Sequence, residues 1–167
     1  MASTKVTSKD NGYKKTLVRM GAMSGTKLFV GVPPQADNVK HGNNGLTVSA
    51  LAAIHEYGLG VPERSFLRAW FDENAEKIRQ AISVMAKAIA AGRLTPMQAM
   101  AQLGLKFVGE IQARMARNIP PPLDPKTVAR KGSSIALIDT GVLRSWISYI
   151  ILLDGKSSAP VRPAGAK

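Results

Sequence analysis

Cysteine is absent from this 167-residue sequence. Disulfides, thiolate nucleophiles, iron–sulfur clusters and cysteine-based zinc sites are therefore excluded. Histidine is nearly absent: His41 and His55 are the only two. His55-Glu56 has the start of a zinc-hydrolase helix motif, but the second histidine would fall four residues on, where the chain has Leu59. Aromatic residues make up only 5% of the chain, so aliphatic side chains and seven methionines must fill most of the core. Long apolar runs are missing as well. The most apolar stretch, residues 147–153, is strand-length and falls short of the ~18 residues that span a bilayer. The first residues carry no apolar run of the kind that marks a signal peptide. The expectation is a protein with no membrane segment.

Acidic residues are also scarce. Eleven Asp and Glu stand against 23 Lys and Arg, for a net charge of +12. Such an excess points to a polyanion or an acidic protein surface as partner, beyond its solubilising role. The excess is clustered. Lys5, Lys9, Lys14, Lys15 and Arg19 face Asp10 alone, and Arg114, Arg117, Lys126, Arg130, Lys131 and Arg144 face only Asp124 and Asp139. Aromatics do not interleave with these cations, which argues against sequence-specific reading of nucleic acid.

At this length a single domain is expected. Residues 1–12 are polar and without period and read as a flexible basic arm. Residues 13–20 are weakly strand-like, and residues 26–32 alternate before Pro33-Pro34 and read as a strand. Residues 35–45 are rich in Asp, Asn and Gly and read as a loop. Thr47 or Ser49 can cap a short helix that runs to Tyr57 and stops at Gly58. Phe66, Leu67, Trp70, Phe71, Ile78, Ile82, Met85 and Ile89 recur at helical spacing, which predicts one amphipathic helix of about seven turns ending at Gly92. Thr95-Pro96-Met97-Gln98 predicts a capping box, with proline at the first position of a second long helix. Within that helix Gly104 and Gly109 either permit close backbone approach or simply weaken it. Residues 119–136 read as an extended basic loop, residues 145–153 as the strongest strand, and residues 156–167 as a mobile tail. The fold class expected for residues 13–155 is α+β: a small, mainly antiparallel sheet packed against a long antiparallel helical hairpin, plus a short helix.

Catalytic constellations are hard to assemble from these residues. Asp72 and Glu76 are four apart, as on a solvated helix face. Asp139 precedes Thr140-Gly141, where Asp139 or Thr140 reads as a cap. Gly132-Ser133-Ser134 lacks any surrounding Walker or dinucleotide pattern. Trp70 and Trp146 read as core or interface anchors. No enzyme and no cofactor is expected.

Two stretches stand out. The first runs from Ala52-Ala53-Ile54-His55-Glu56-Tyr57-Gly58 through Pro62-Glu63-Arg64-Ser65-Phe66-Leu67-Arg68 to Asp72-Glu73-Asn74. The second runs from Pro121-Pro122-Leu123-Asp124-Pro125-Lys126-Thr127 through Arg130-Lys131-Gly132 to Leu137-Ile138-Asp139-Thr140-Gly141-Val142-Leu143-Arg144-Ser145. In this order and spacing they resemble the "AAIHEYG…IPERPFLR…DEN" and "PPL.P.T…RKG…PLIDTG.L..S" patterns of tailed-bacteriophage virion-morphogenesis, neck and tail-completion proteins. The likeness covers about residues 46–150. Ser65 stands where the pattern has proline, and Ile135-Ala136 replace a polar-proline pair.

The resemblance implies a non-enzymatic subunit at the head–tail junction, which joins the tail to a DNA-filled head. Its expected partners are other copies of itself in a ring (six-fold favoured, twelve-fold possible), the adjacent head–tail connector and tail proteins, and genomic DNA without sequence preference. Its expected location is the virion neck, and the host cytoplasm during assembly. The expected interface residues are His55, Glu56, Tyr57, Glu63, Arg64, Phe66 and Arg68 at the corner, with Pro121, Pro122, Leu123, Lys131, Asp139 and Arg144. Lys14, Lys15, Arg19, Arg130 and Lys131 are the expected DNA-facing cations. The alternative reading is a basic DNA-binding module with no ring role.

Overall fold

The computed structural model describes residues 10–41, 45–132, 134–137, 141–153 and 155–162, with the backbone alone at Arg130 and Lys131. The class is α+β, as expected: among the described residues, helices pack on a three-stranded antiparallel sheet, and a separate two-stranded ribbon stands beside it. Strand β1 (Lys27–Gly31) pairs with β4 (Ser148–Leu153), with Phe29 opposite Ile150. β4 is central and pairs on its other side with β5 (Lys156–Ser157). β2 (Lys40–His41) and β3 (Leu46–Thr47) form the ribbon, after a 3-10 turn at Pro34–Asn38.

Helix α5 (Pro96–Met115) carries the sheet. Thr95 and Gln98 form the reciprocal capping box that fixes its start. Ala99, Leu103, Phe107, Val108, Ile111 and Met115 form its buried face, packed on β4 and β1. Gly104 allows the closest approach. A Cβ built there would lie 2.4 Å from the ring carbon Cγ of Tyr149, so the tyrosine ring rests on bare backbone. Gly109 faces open space and only weakens the helix. Phe66, Trp70 and Phe107 complete the core, with Trp70 and Phe107 rings 5.4 Å apart.

Several elements differ from the sequence reading. Residues 13–20 are not strand-like. They belong to helix α1 (Tyr13–Gly21), in which Tyr13, Leu17 and Met20 recur at helical spacing; it packs on α4 (Ala75–Ala90) and buries none of its own residues. The seven-turn helix is two helices, α3 (Arg68–Glu73) and α4 (Ala75–Ala90). The break is at Asn74, whose backbone leaves the helical region at φ −113° and ψ 13°; its side-chain amide and its own N–H both donate to the Trp70 carbonyl, at 2.8 and 3.1 Å. Within α4 the inward stripe is Ile78, Ala81, Met85 and Ile89, while Ile82 is exposed. α4 packs on α5 and α1, and α5 makes the main contact with the sheet, so the hairpin stands with α4 outermost.

The connection at residues 119–136 is not extended throughout. Asp124 caps helix α6 (Pro125–Lys131), accepting from the Lys126 N–H at 2.8 Å, with Pro125 at the first position. The strand expected from residue 145 starts at Ser148. Helix α7 (Val142–Ser145) takes the preceding residues, and the Ser145 hydroxyl donates to the Val142 carbonyl. Lys156 to Arg162, expected in a mobile tail, instead extend the sheet edge: Val161 bridges Tyr149, and the Ile151 N–H donates to the Ser158 hydroxyl.

Candidate functional site

The first stretch forms a corner built around one carboxylate. Thr47 caps helix α2 (Val48–Tyr57), and Gly58 ends it in the left-handed region at φ 68°. Glycine is required there twice over, because a Cβ would also lie 3.0 Å from the backbone nitrogen of Glu63. Glu56, two residues before Gly58, is only 4% exposed. Its Oε2 accepts from the N–H groups of Phe66 and Leu67 at 2.9 and 3.0 Å. Its Oε1 accepts from the Ser65 hydroxyl at 2.7 Å and the Arg68 N–H at 2.8 Å.

Those donors lie at the start of α3, whose own N-cap residue, Leu67, supplies no side-chain bond. Glu56 of α2 therefore caps α3 across the corner, placing negative charge where unsatisfied N–H groups need it. Burial alone would raise the Glu56 pKa, but hydrogen bonds from Leu67, Ser65, Arg68 and Phe66 outweigh it and hold the carboxyl below the ordinary range. Ser65 is used twice: its hydroxyl donates to Glu56 and accepts from the Ala69 N–H at 3.0 Å. The Arg68 guanidinium closes the outside of the corner. It donates to the Glu56 carbonyl at 2.8 Å and to Glu63 at 2.7 Å, and lies 4.7 Å from the centre of the Tyr57 ring.

Arg64 joins the first stretch to the second. Its backbone N–H donates to the His55 carbonyl at 2.8 Å. Its guanidinium spans 57 residues of sequence to the Pro121 carbonyl, with Nε at 3.1 Å and Nη2 at 2.8 Å, while Nη1 reaches the Pro62 carbonyl at 3.3 Å. Arg64 is 3% exposed, and burial lowers its pKa. It lines a cavity of about 670 Å³ between the corner and the residues 121–143 segment, whose walls include Leu51, Val61, Pro122, Leu123, Leu137 and Val142. His41, His55 and Asp124 also reach this cavity.

The remaining predicted residues divide. Phe66 is fully buried and serves the core. Tyr57 is exposed at the end of α2, Pro121 and Pro122 are exposed in the cavity wall, and Leu123 is half-buried there. Arg144 is exposed, and its carbonyl accepts from Gln112. Asp139 lies outside the described residues, and Arg130 and Lys131 are described only as backbone of α6. Lys14 and Lys15 are exposed on α1, whereas Arg19 is half-buried and donates to the Ala90 carbonyl near the end of α4.

Sequence reasoning missed the capping role of Glu56 and the apolar rim of Leu59 and Val61, 59% and 37% exposed. It also missed the Glu73–Arg114 pair between α3 and α5, in which Arg114 holds the Glu73 carboxyl below its ordinary range. The glutamate two residues before the left-handed Gly58 and twelve before the start of α3 was the available signal for the first.

Among the described residues no three His, Asp or Glu gather as a metal site, and no helix is long and apolar enough to cross a membrane. Compared with known proteins, the chain matches no family profile, no curated protein and no solved structure.

Proposed function

We propose that this chain is a non-enzymatic structural subunit of a tailed-phage virion, which assembles into a ring at the head–tail junction and lets DNA pass. The observation that carries this reading is the Arg64–Pro121 joint. The two stretches that resemble the neck and tail-completion patterns lie far apart in sequence, yet they meet in one corner and share one cavity. Beside that joint Tyr57, Leu59 and Val61 are 58%, 59% and 37% exposed, an apolar rim on a rigid support. Exposed apolar side chains on this corner are available to an assembly surface, and a ring requires a surface of each subunit to meet a different surface of the next. The excess positive charge suits passage of DNA by phosphate contact alone. Electron microscopy of the purified protein tests the reading. Closed rings, six-fold or twelve-fold, are expected. Particles made without the protein should accumulate as heads and unattached tails, and normal particles in its absence would reject the role.

A further inference from the structure

Strand β1 is an edge of the three-stranded sheet, and its outer side carries backbone groups without partners. The bonding of β4 identifies them. Tyr149 exchanges both of its backbone bonds with Val161, at 3.1 and 2.9 Å. The Ile151 carbonyl accepts from the Ser158 N–H at 2.8 Å, and the Ile151 N–H donates to the Ser158 hydroxyl at 3.0 Å. The backbone groups of Tyr149 and Ile151 therefore point away from β1, and those of Val30 and Leu28, which stand opposite them, point away from β4. Among the described residues nothing pairs with the N–H and C=O groups of Leu28 and Val30. Such an edge is a template for another strand. Its two faces differ: Leu28 and Val30 turn their side chains to the core, whereas Phe29, opposite Ile150, is 55% exposed.

We infer that a second copy of this chain docks here, β1 against β1, antiparallel about a two-fold axis at Phe29. The strand is self-complementary in this register. Leu28 falls opposite Val30 of the second copy and Val30 opposite its Leu28, so the unpaired groups of each strand satisfy those of the other. A two-residue shift either way sends half of these bonds to Thr26, whose N–H already donates to the Met23 carbonyl, or past the end of the strand at Gly31. Phe29 meets Phe29 across the axis, where side chains of an antiparallel pair come closest, and an apolar row from Ile150 to Ile150 covers surface that each chain alone exposes. Lys27 is the strand's one charge and falls opposite Gly31, so the cations of the two copies do not face each other. A contact with a different protein requires no such symmetry, and this favours a second copy as the occupant. The contact uses none of the rim residues Tyr57, Leu59 and Val61, and it does not rest on the ring. It joins two free chains, or two six-fold rings face to face into twelve copies.

The chain has no cysteine, so single introduced cysteines report the register. Phe29→Cys sets the two Cα atoms about 4.5 Å apart, within bridging range. Lys27→Cys, on the same face of the strand, sets them roughly 14 Å apart at about 3.4 Å per residue, beyond it. Both native side chains are exposed, so neither change disturbs the core, which circular dichroism checks. Equilibrated in a glutathione redox buffer, Phe29→Cys should give at least about tenfold more disulfide-linked dimer than Lys27→Cys, the gain of a held pair over chance collision. In the wild type, hydrogen exchange of the Leu28 and Val30 amides should slow about tenfold between dilute and concentrated protein, while that of Phe29, which already faces Ile150, changes little. Equal dimer yields at the two positions, dimer at neither, or Leu28 and Val30 exchange that ignores concentration would overturn the inference. Protection that appears only when a different protein is added would overturn it in favour of that protein.

Discussion

Replacing Glu56 by Gln tests the corner with almost no change of shape. In the native corner each carboxylate oxygen accepts from two donors, Oε1 from Ser65 and Arg68 and Oε2 from Phe66 and Leu67. The amide can present its oxygen to only one pair, and its NH2 then faces the other two donors, which lose their acceptor. Two hydrogen bonds to a charged acceptor, at about 1.5–3 kcal/mol each, sum to about 3–6 kcal/mol, and the range of about 3–5 kcal/mol for breaking a buried charge network is the expected loss. At about 2–4 °C per kcal/mol for a domain of this size, the melting temperature should fall by roughly 6–20 °C.

The loss should also depend on pH. The folded-state pKa of Glu56 lies below the ordinary value of 4.5, so its stabilisation is fully present above 4.5 and disappears as pH falls through the depressed folded value. The difference between wild type and Glu56→Gln, measured by urea unfolding, should therefore be constant from neutral pH down to about 5 and shrink below 4.5. A loss under about 1 kcal/mol at neutral pH, or a difference that grows on acidification, would refute the capping role.

Three further substitutions separate the remaining elements. Gly104→Ala forces its Cβ against the Tyr149 ring, so overpacking of about 1–3 kcal/mol should outweigh the helix-propensity gain of about 1 kcal/mol, whereas Gly109→Ala, in open space, should stabilise by about 0.5–1 kcal/mol; thermal unfolding of the pair decides. Thr95→Ala removes the capping box of α5 and should cost about 0.5–2 kcal/mol in the same assay. Lys14→Ala with Lys15→Ala removes two exposed cations of α1, and should reduce the salt dependence of binding to random-sequence DNA by up to about two counterions, as read from log Kd against log salt; an unchanged slope would place the DNA contacts elsewhere.

What was legible in the sequence follows where one physical signal dominates. Thr95, Pro96 and Gln98 act within four residues, so the start of α5 needs no tertiary information. The alternation of β1 and the glycine stop of α2 are local in the same way. The stripe from Phe66 to Ile89 marked a helical region correctly, but a stripe does not show that the backbone leaves the helical region at Asn74 and divides it in two. Helix α1 was missed although Tyr13, Leu17 and Met20 recur at helical spacing, and α6 because its charged, proline-initiated segment has no apolar period. The corner was visible as a dense motif, but its mechanism was not. Glu56 finds its donors nine to twelve residues away, and Arg64 finds its acceptor 57 residues away, distances at which only the folded chain can bring the groups together.

The central claim is that this rigid corner and its apolar rim are assembly surface, and native mass spectrometry of the purified chain alongside its Val61→Glu and Tyr57→Ala variants tests it most directly. A single closed oligomer is expected for the wild type, six-fold or twelve-fold, that dissociates when the rim is changed while each variant stays folded. A wild type that remains monomeric at every concentration and salt, or rings that survive both rim substitutions unchanged, would contradict it.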